Sequence, residues 1–138
     1  MSPLPLLHAF SVFALFGLIW TIQLVHYPAF RDIELRRFPA FHDRHSRNIT
    51  FIVLPLMLVE IVTSVLLVME HRTALSLSLL VLAAANWLTT FLIFVPIHRT
   101  ISRRPRPGDL DGLVNLNWIR TLTWTAAAAV TLYRSATW

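Results

Sequence analysis

The chain has 138 residues, is 56% hydrophobic and only 14% charged, and combines a mean hydropathy of +0.62 with a formal net charge of +5. Soluble domains carry about 25% charged residues, so this composition excludes an ordinary soluble domain and predicts a single small integral membrane domain, residues 1–138. Cysteine is absent, which removes disulfides, thiolate ligands, iron–sulfur clusters and cysteine nucleophiles from consideration.

Four apolar segments follow in chain order, at residues 6–27, 49–69, 75–97 and 113–133. Each is about 20 residues, the length that crosses roughly 30 Å of hydrocarbon as an α-helix. No short alternating strands are visible, so a barrel is not expected. The predicted fold is all-α, a four-transmembrane-helix bundle with a short interfacial helix between helices 1 and 2, or an early extension of segment two in its place. The first segment has no basic residues before it and is long for a signal sequence, so it reads as a retained helix.

Segment one closes on Gln23, His26 and Tyr27 and is expected to stop at Pro28. Gln23 and His26 are three apart and share a helix face. The link 32–47 contains FPAFHDRH, in which Pro39 suits a helix start and His42 and His45 again share a face. Segment two carries Pro55 and Glu60. Glu60 lies about 18 Å along a helix from Asn48, which puts it near mid-bilayer, where a charge must face the bundle interior. Asn86 of segment three falls at a similar depth, so a Glu60–Asn86 hydrogen bond is expected. The link 100–112 is rich in Arg, Pro and Gly and reads as a solvated loop. Segment four is the least apolar, with Asn115, Asn117 and Arg120 near its start and small residues Ala126 to Ala129 further on. Small residues permit close helix approach.

Every basic residue is arginine. Nine arginines (Arg31, Arg36, Arg37, Arg44, Arg47, Arg99, Arg103, Arg104 and Arg106) lie in the two links on one side, against Arg72 and Arg134 on the other. The excess predicts that this side is cytoplasmic and that both termini lie outside, in a multi-pass membrane protein. The same arginines account for the high isoelectric point as topology and anionic-lipid contact; no nucleic-acid partner is expected.

Four crossings bring His26, His42, His45 and His98 to that cytoplasmic face, leaving His8 and His71 opposite. Imidazoles from three stretches at one mouth of a bundle fit a metal, haem or proton-handling site. The four histidines are the candidate metal ligands, for copper or iron in redox chemistry or zinc in hydrolysis. Gln23, Asn117 and Arg120 are candidates for orienting ligands or binding substrate. Arg120 is expected to pair with an acidic substrate, a haem propionate or Asp43. Glu60 and Asn86 would lie deeper in the same cavity, with Glu60 as a proton relay or substrate contact. Three functions from different classes follow. The first is a metal-dependent oxidoreductase acting on a lipophilic substrate that enters between helices. The second is a haem b electron carrier with two axial histidines. The third is a scaffold or subunit of a larger complex, in which the histidines bind nothing; a homo-oligomer belongs with this reading. The Glu-x-x-His pair of di-iron bundles, the Walker loop and the H-E-x-x-H motif are all missing.

The stretches QLVHYPAF (23–30), FHDRHS (41–46), PLMLVE (55–60) and NWIRT (117–121) resemble a group of small four-helix bacterial membrane proteins, which implies a bacterial inner membrane with both termini periplasmic. The four-segment layout and the Asn-Trp near the last helix are also similar to the anthrone-oxygenase-like family. That resemblance implies oxidation of lipophilic aromatic molecules and carries over no catalytic residue.

Overall fold

The computed structural model describes residues 3–106 and 108–136. Four long helices account for nearly all of them: α1 (Leu4–Asp32), α2 (Phe38–Glu70), α3 (Ala74–Arg103) and α4 (Asp109–Ala136). Each helix packs on its neighbours in sequence, and α4 closes the ring against α1. The connections are short, which makes consecutive helices antiparallel. Between α2 and α3, Thr73 caps α3 by accepting from the Ser76 backbone N–H in a capping box. At the opposite end, Arg31 of α1 meets Asp111 of α4 at 2.6 Å. Both of those side chains are largely exposed, so this pair contributes at most about 1 kcal/mol.

The bundle is arranged inside out relative to a soluble protein. Leu6, Phe10, Leu24, Phe51, Met69, Leu92 and Leu132 are exposed, while Gln23, Glu60, Thr63, Ser64, Asn86, Asn117 and Arg120 are buried. An apolar belt of this extent has no place in water. In lipid it is the solvent-facing surface, and polar groups must instead find partners inside. By length and composition α1, α2 and α3 can each cross a membrane. Helix α4 is less apolar, yet its polar residues bond inward along its length. Asn117 Nδ2 donates to Gln23 Oε1 at 2.8 Å, Trp20 Nε1 of α1 donates to Thr125 Oγ1 at 3.0 Å, and Thr123 Oγ1 donates to Asn86 Oδ1 at 2.8 Å.

Several expected boundaries shift, each for a local reason. Pro28 does not end α1. Proline removes a donor and crowds the carbonyl one turn earlier, and α1 answers with a π-helical turn at Ile22–His26 before running on to Asp32. Helix α3 repeats the device: a π turn at Thr90–Phe94 precedes Pro96, and the helix continues to Arg103. No interfacial helix stands between helices 1 and 2. The segment from Phe38 is the first part of α2, unbroken through Pro55 to Glu70. Pro39, in the first turn, leaves no hydrogen bond unmade there.

Ala127 and Ala128 of α4 pack with Val12 of α1, where small side chains let the helices close together. Ala127 is 1% exposed, whereas Ala126 and Ala129 face outward. Ala127→Leu should therefore overpack this contact and cost about 1–3 kcal/mol, lowering the thermal midpoint followed by size-exclusion in detergent. Ala126→Leu and Ala129→Leu should leave it unchanged. Equal midpoints for all three variants would refute the packing.

Candidate functional site

The two π turns fix the geometry at the arginine-rich end. A π turn inserts one residue into the helical repeat, which rotates everything beyond it by roughly 100°. Tyr27 follows directly after the turn in α1, and His98 lies shortly after the turn in α3. The re-aimed side chains meet: Tyr27 Oη and His98 Nε2 are 3.1 Å apart and hydrogen-bonded.

From this contact a chain of hydrogen bonds runs outward. His98 Nδ1 and His42 Nε2 are 2.8 Å apart, and His42 Nδ1 and Ser102 Oγ are 2.6 Å apart. The imidazoles of His42 and His98 stack with centroids 5.0 Å apart. Two directions satisfy every atom in the chain. In one, Tyr27 O–H donates to His98, His98 Nδ1–H to His42, and His42 Nδ1–H to Ser102. In the other, Ser102 donates to His42, His42 Nε2–H to His98, and His98 Nε2–H to Tyr27. Both keep the two imidazoles neutral; passing from one to the other takes a proton off one terminal hydroxyl and adds one to the other, so Tyr27 and Ser102 must each exchange a proton with a group outside the row. His26 Nε2 and His45 Nδ1 form a second pair at 3.1 Å.

Phe30 holds these groups in place. Its ring centroid lies 5.1 Å from that of His45, 5.5 Å from Tyr27, 5.8 Å from Phe38, 5.9 Å from His42 and 6.0 Å from His26. It is 1% exposed. Edge-to-face contacts at such distances contribute about 0.5–1.5 kcal/mol each between aromatic rings beyond their burial.

Between α2 and α3 a cavity of about 560 Å³ opens beside this chain. Its walls are apolar, with Ile49, Val53, Leu54 and Met57 from α2 and Phe91, Phe94 and Val95 from α3. Its lip is polar, with Asp43, His45, Ser46, Arg99 and Arg103. Its floor is Tyr27, His98 and Arg120. The volume is in the range of sites that take small molecules.

Arg120 is the most unusual residue in the cavity. It is 5% exposed, and its guanidinium carbon lies 4.7 Å from the Phe94 ring and 5.1 Å from the Trp124 ring. Its neighbour for hydrogen bonding is Tyr27. No carboxylate lies within salt-bridge distance, and Nε has no partner among the described residues. Asp43, the acid expected to pair with it, stays at the lip.

The structure thus brings together all four expected histidines and Arg120, but it arranges the histidines as hydrogen-bonded pairs. A ligand shell needs several nitrogens aimed at one point, about 2.0–2.1 Å from an ion for zinc. Both ring nitrogens of His42 and of His98 are already bonded to protein atoms. Among the described residues no group of three or more His, Asp or Glu side chains is placed to hold a metal ion. The histidines as placed do not fit a metal shell.

Gln23, Asn117, Asn86 and Glu60 lie apart from the cavity lining. Gln23 and Asn117 clamp α1 to α4: Gln23 Nε2 also donates to the Val114 carbonyl at 3.1 Å, and Thr121 Oγ1 donates to Gln23 Oε1 at 3.3 Å. Glu60 and Asn86 each turn to α4. Glu60 Oε2 accepts from Trp124 Nε1 at 3.1 Å, and Asn86 accepts from Thr123; neither takes the Glu60–Asn86 bond that their depth predicts. Tyr27, Ser102, Phe30 and Trp124 are the participants that sequence spacing did not single out. The only signal for Tyr27 is its place beside His26 and Pro28.

No protein-family model, curated protein or solved structure matches the chain.

The chain predicts a selective response to Tyr27→Phe. In protein labelled with ¹⁵N-histidine, the ring-nitrogen resonances of His98 should move, and those of His42 should follow. The His26 and His45 resonances should stay in place. If His98 is unmoved, the Tyr27–His98 bond is absent.

Proposed function

We propose that this chain is a four-pass membrane protein that binds a lipophilic molecule bearing one anionic group, in the cavity between α2 and α3. The observation that carries this reading is Arg120: a buried cation, without a carboxylate partner, at the floor of an apolar-walled cavity. A charge in such surroundings is costly unless compensated, and a carboxylate, sulfonate or phosphate can accept hydrogen bonds from a guanidinium. The lateral position between two lipid-facing helices suits entry of the apolar part from the bilayer. Helix α4 bonds to α1, α2 and α3 along its length, which supports a fourth crossing. The arginine excess supports a cytoplasmic orientation of the site, with both termini on the other side.

The hydrogen-bonded chain from Ser102 to Tyr27 gives this site acid–base capacity beside the anionic group. It takes the place of the metal in the reading of the histidines. Proton transfer to or from the bound molecule is the chemistry that such a chain supplies. Oxidation of a lipophilic aromatic molecule, which the resemblance to the anthrone-oxygenase-like family implies, calls for the same kind of cavity and is the second reading.

The test is calorimetric titration of dodecanoate and of dodecan-1-ol into the protein in phosphatidylcholine nanodiscs, with partition into empty nanodiscs subtracted. Dodecanoate should bind more tightly than the alcohol. Arg120→Gln should weaken dodecanoate about ten- to a hundredfold, from roughly 1.5–3 kcal/mol for a hydrogen bond to a charged group, and should leave the alcohol unchanged. Equal affinity of wild type for the acid and the alcohol would sink the assignment.

A further inference from the structure

Beneath the cavity, Trp124 joins two buried groups of opposite chemistry. One face of its ring lies against the Arg120 guanidinium, and its indole N–H donates to Glu60 Oε2 at 3.1 Å. Glu60 is 1% exposed, and its other oxygen, Oε1, has no partner among the described residues. Glu60 makes no salt bridge with Arg120, and the indole stands between them. The arrangement is a cation over the face of one aromatic ring and a carboxyl group at its N–H edge, with Glu60 and Trp124 both 1% exposed.

The groups around Glu60 narrow what it can do. Helix α1 contributes His8, whose Nδ1 is 3.0 Å from Oγ1 of Thr63, three residues along α2 from Glu60. Thr63 donates its hydroxyl proton to the Val59 carbonyl at 2.6 Å, so His8 Nδ1–H is the donor to Thr63. His8 Nε2 then carries a lone pair with no partner among the described residues. Helix α3 offers Asn86, whose Oδ1 accepts from Thr123 while its Nδ2 has no partner among the described residues. Helix α4 offers Trp124 and, behind it, Arg120. Within α2, Ser64 Oγ donates to the Glu60 backbone carbonyl at 2.7 Å and leaves the carboxyl group alone. Arg120 is therefore the cation that shares the indole with Glu60; Arg99 and Arg103 stay at the cavity lip, and Arg134 of α4 lies close enough to His8 to act on it electrostatically.

We infer that binding of an anion at Arg120 is coupled to uptake of a proton at Glu60. This inference rests on the proposed anion site. With the cavity free of anion, an ionised Glu60 balances Arg120 across the indole. When an anionic headgroup arrives at Arg120, two negative charges share one buried cation. In low-dielectric surroundings one of them is neutralised, as in paired carboxylates. The headgroup contacts the guanidinium directly, so Glu60 accepts the proton: Glu60 carboxylate plus H⁺ gives the neutral acid, with no other bond changed. The neutral carboxyl still accepts the Trp124 hydrogen bond and gains an O–H donor. Linkage makes the effect reciprocal: anion binding weakens as protons become scarce.

The experiment uses dodecane-1-sulfonate, which does not itself titrate near neutral pH, in phosphatidylcholine nanodiscs. Calorimetry in two buffers of different ionisation enthalpy reads the protons taken up per anion bound. Wild type should take up about one. Glu60→Gln should bind the sulfonate with no uptake, whereas His8→Gln should keep the uptake. Binding by wild type without uptake overturns the coupling and leaves the anion site standing; uptake unchanged in Glu60→Gln overturns the assignment to Glu60. Absence of sulfonate binding overturns the proposed site and the coupling with it. Should Glu60→Gln fail to fold, infrared difference spectroscopy on wild type decides the matter. A protonated-carboxyl band must appear on adding the sulfonate, and its absence overturns the coupling.

Discussion

The fold depends on one constraint: polar side chains that face lipid find no partner there, so they must be satisfied within the bundle. Gln23, Asn117 and Thr121 satisfy it by bonding to each other between α1 and α4. Trp20 and Thr125 satisfy it nearer the middle, and His8 with Thr63 towards the far end. These contacts hold α4, the least apolar helix, against its neighbours. Arg120 satisfies the constraint through two aromatic faces and a tyrosine in place of an acid. The functional reading follows from that missing acid, because Arg120 also lines the cavity.

Much of this was legible in the amino-acid sequence. Apolar runs of spanning length gave the four helices, and counting crossings brought His26, His42, His45 and His98 to one end, because antiparallel order needs only short links. That Glu60 faces the bundle interior followed from the cost of leaving a charge on an apolar surface. What could not be read was direction around each helix axis. A proline signals trouble for a regular helix, but whether the chain stops or widens depends on the neighbouring helices. At Pro28 and Pro96 it widens, and this decides that His98 meets Tyr27 and His42. Likewise Gln23 and Asn117 read as ligands or second partners of a site because both are polar and near its level. They face each other across the α1–α4 contact, which no spacing within one helix reveals.

The histidines show how identity and arrangement separate. Four imidazoles at one mouth are the raw material of a metal centre. Here, each ring nitrogen of His42 and His98 is taken by a neighbour, and Ser102 and Tyr27 close the ends of the row. The aromatic packing around Phe30 enforces the row by fixing ring planes on α1 and α2 together. A cluster with the same residue count but without Phe30 would have freedom to converge on a point. The cavity then acquires its character from two sources: apolar walls supplied by α2 and α3, and a floor where the end of the imidazole row meets a lone guanidinium.

The paired π turns have a consequence for descent. Each amounts to a single inserted residue, one in α1 and one in α3, at matching levels before a proline. Loss of one residue at either place would leave hydropathy, charge balance and helix length almost unaltered, so a chain bearing such a gap would still form the same four helices. Yet every side chain beyond the gap would turn by about a quarter of the helix circumference, and Tyr27 or His98 would swing out of line. Among descendants of a common ancestor, site and scaffold can therefore part company through one codon, and a gap at residues 22–26 or 90–94 would mark that divergence better than any change in overall identity.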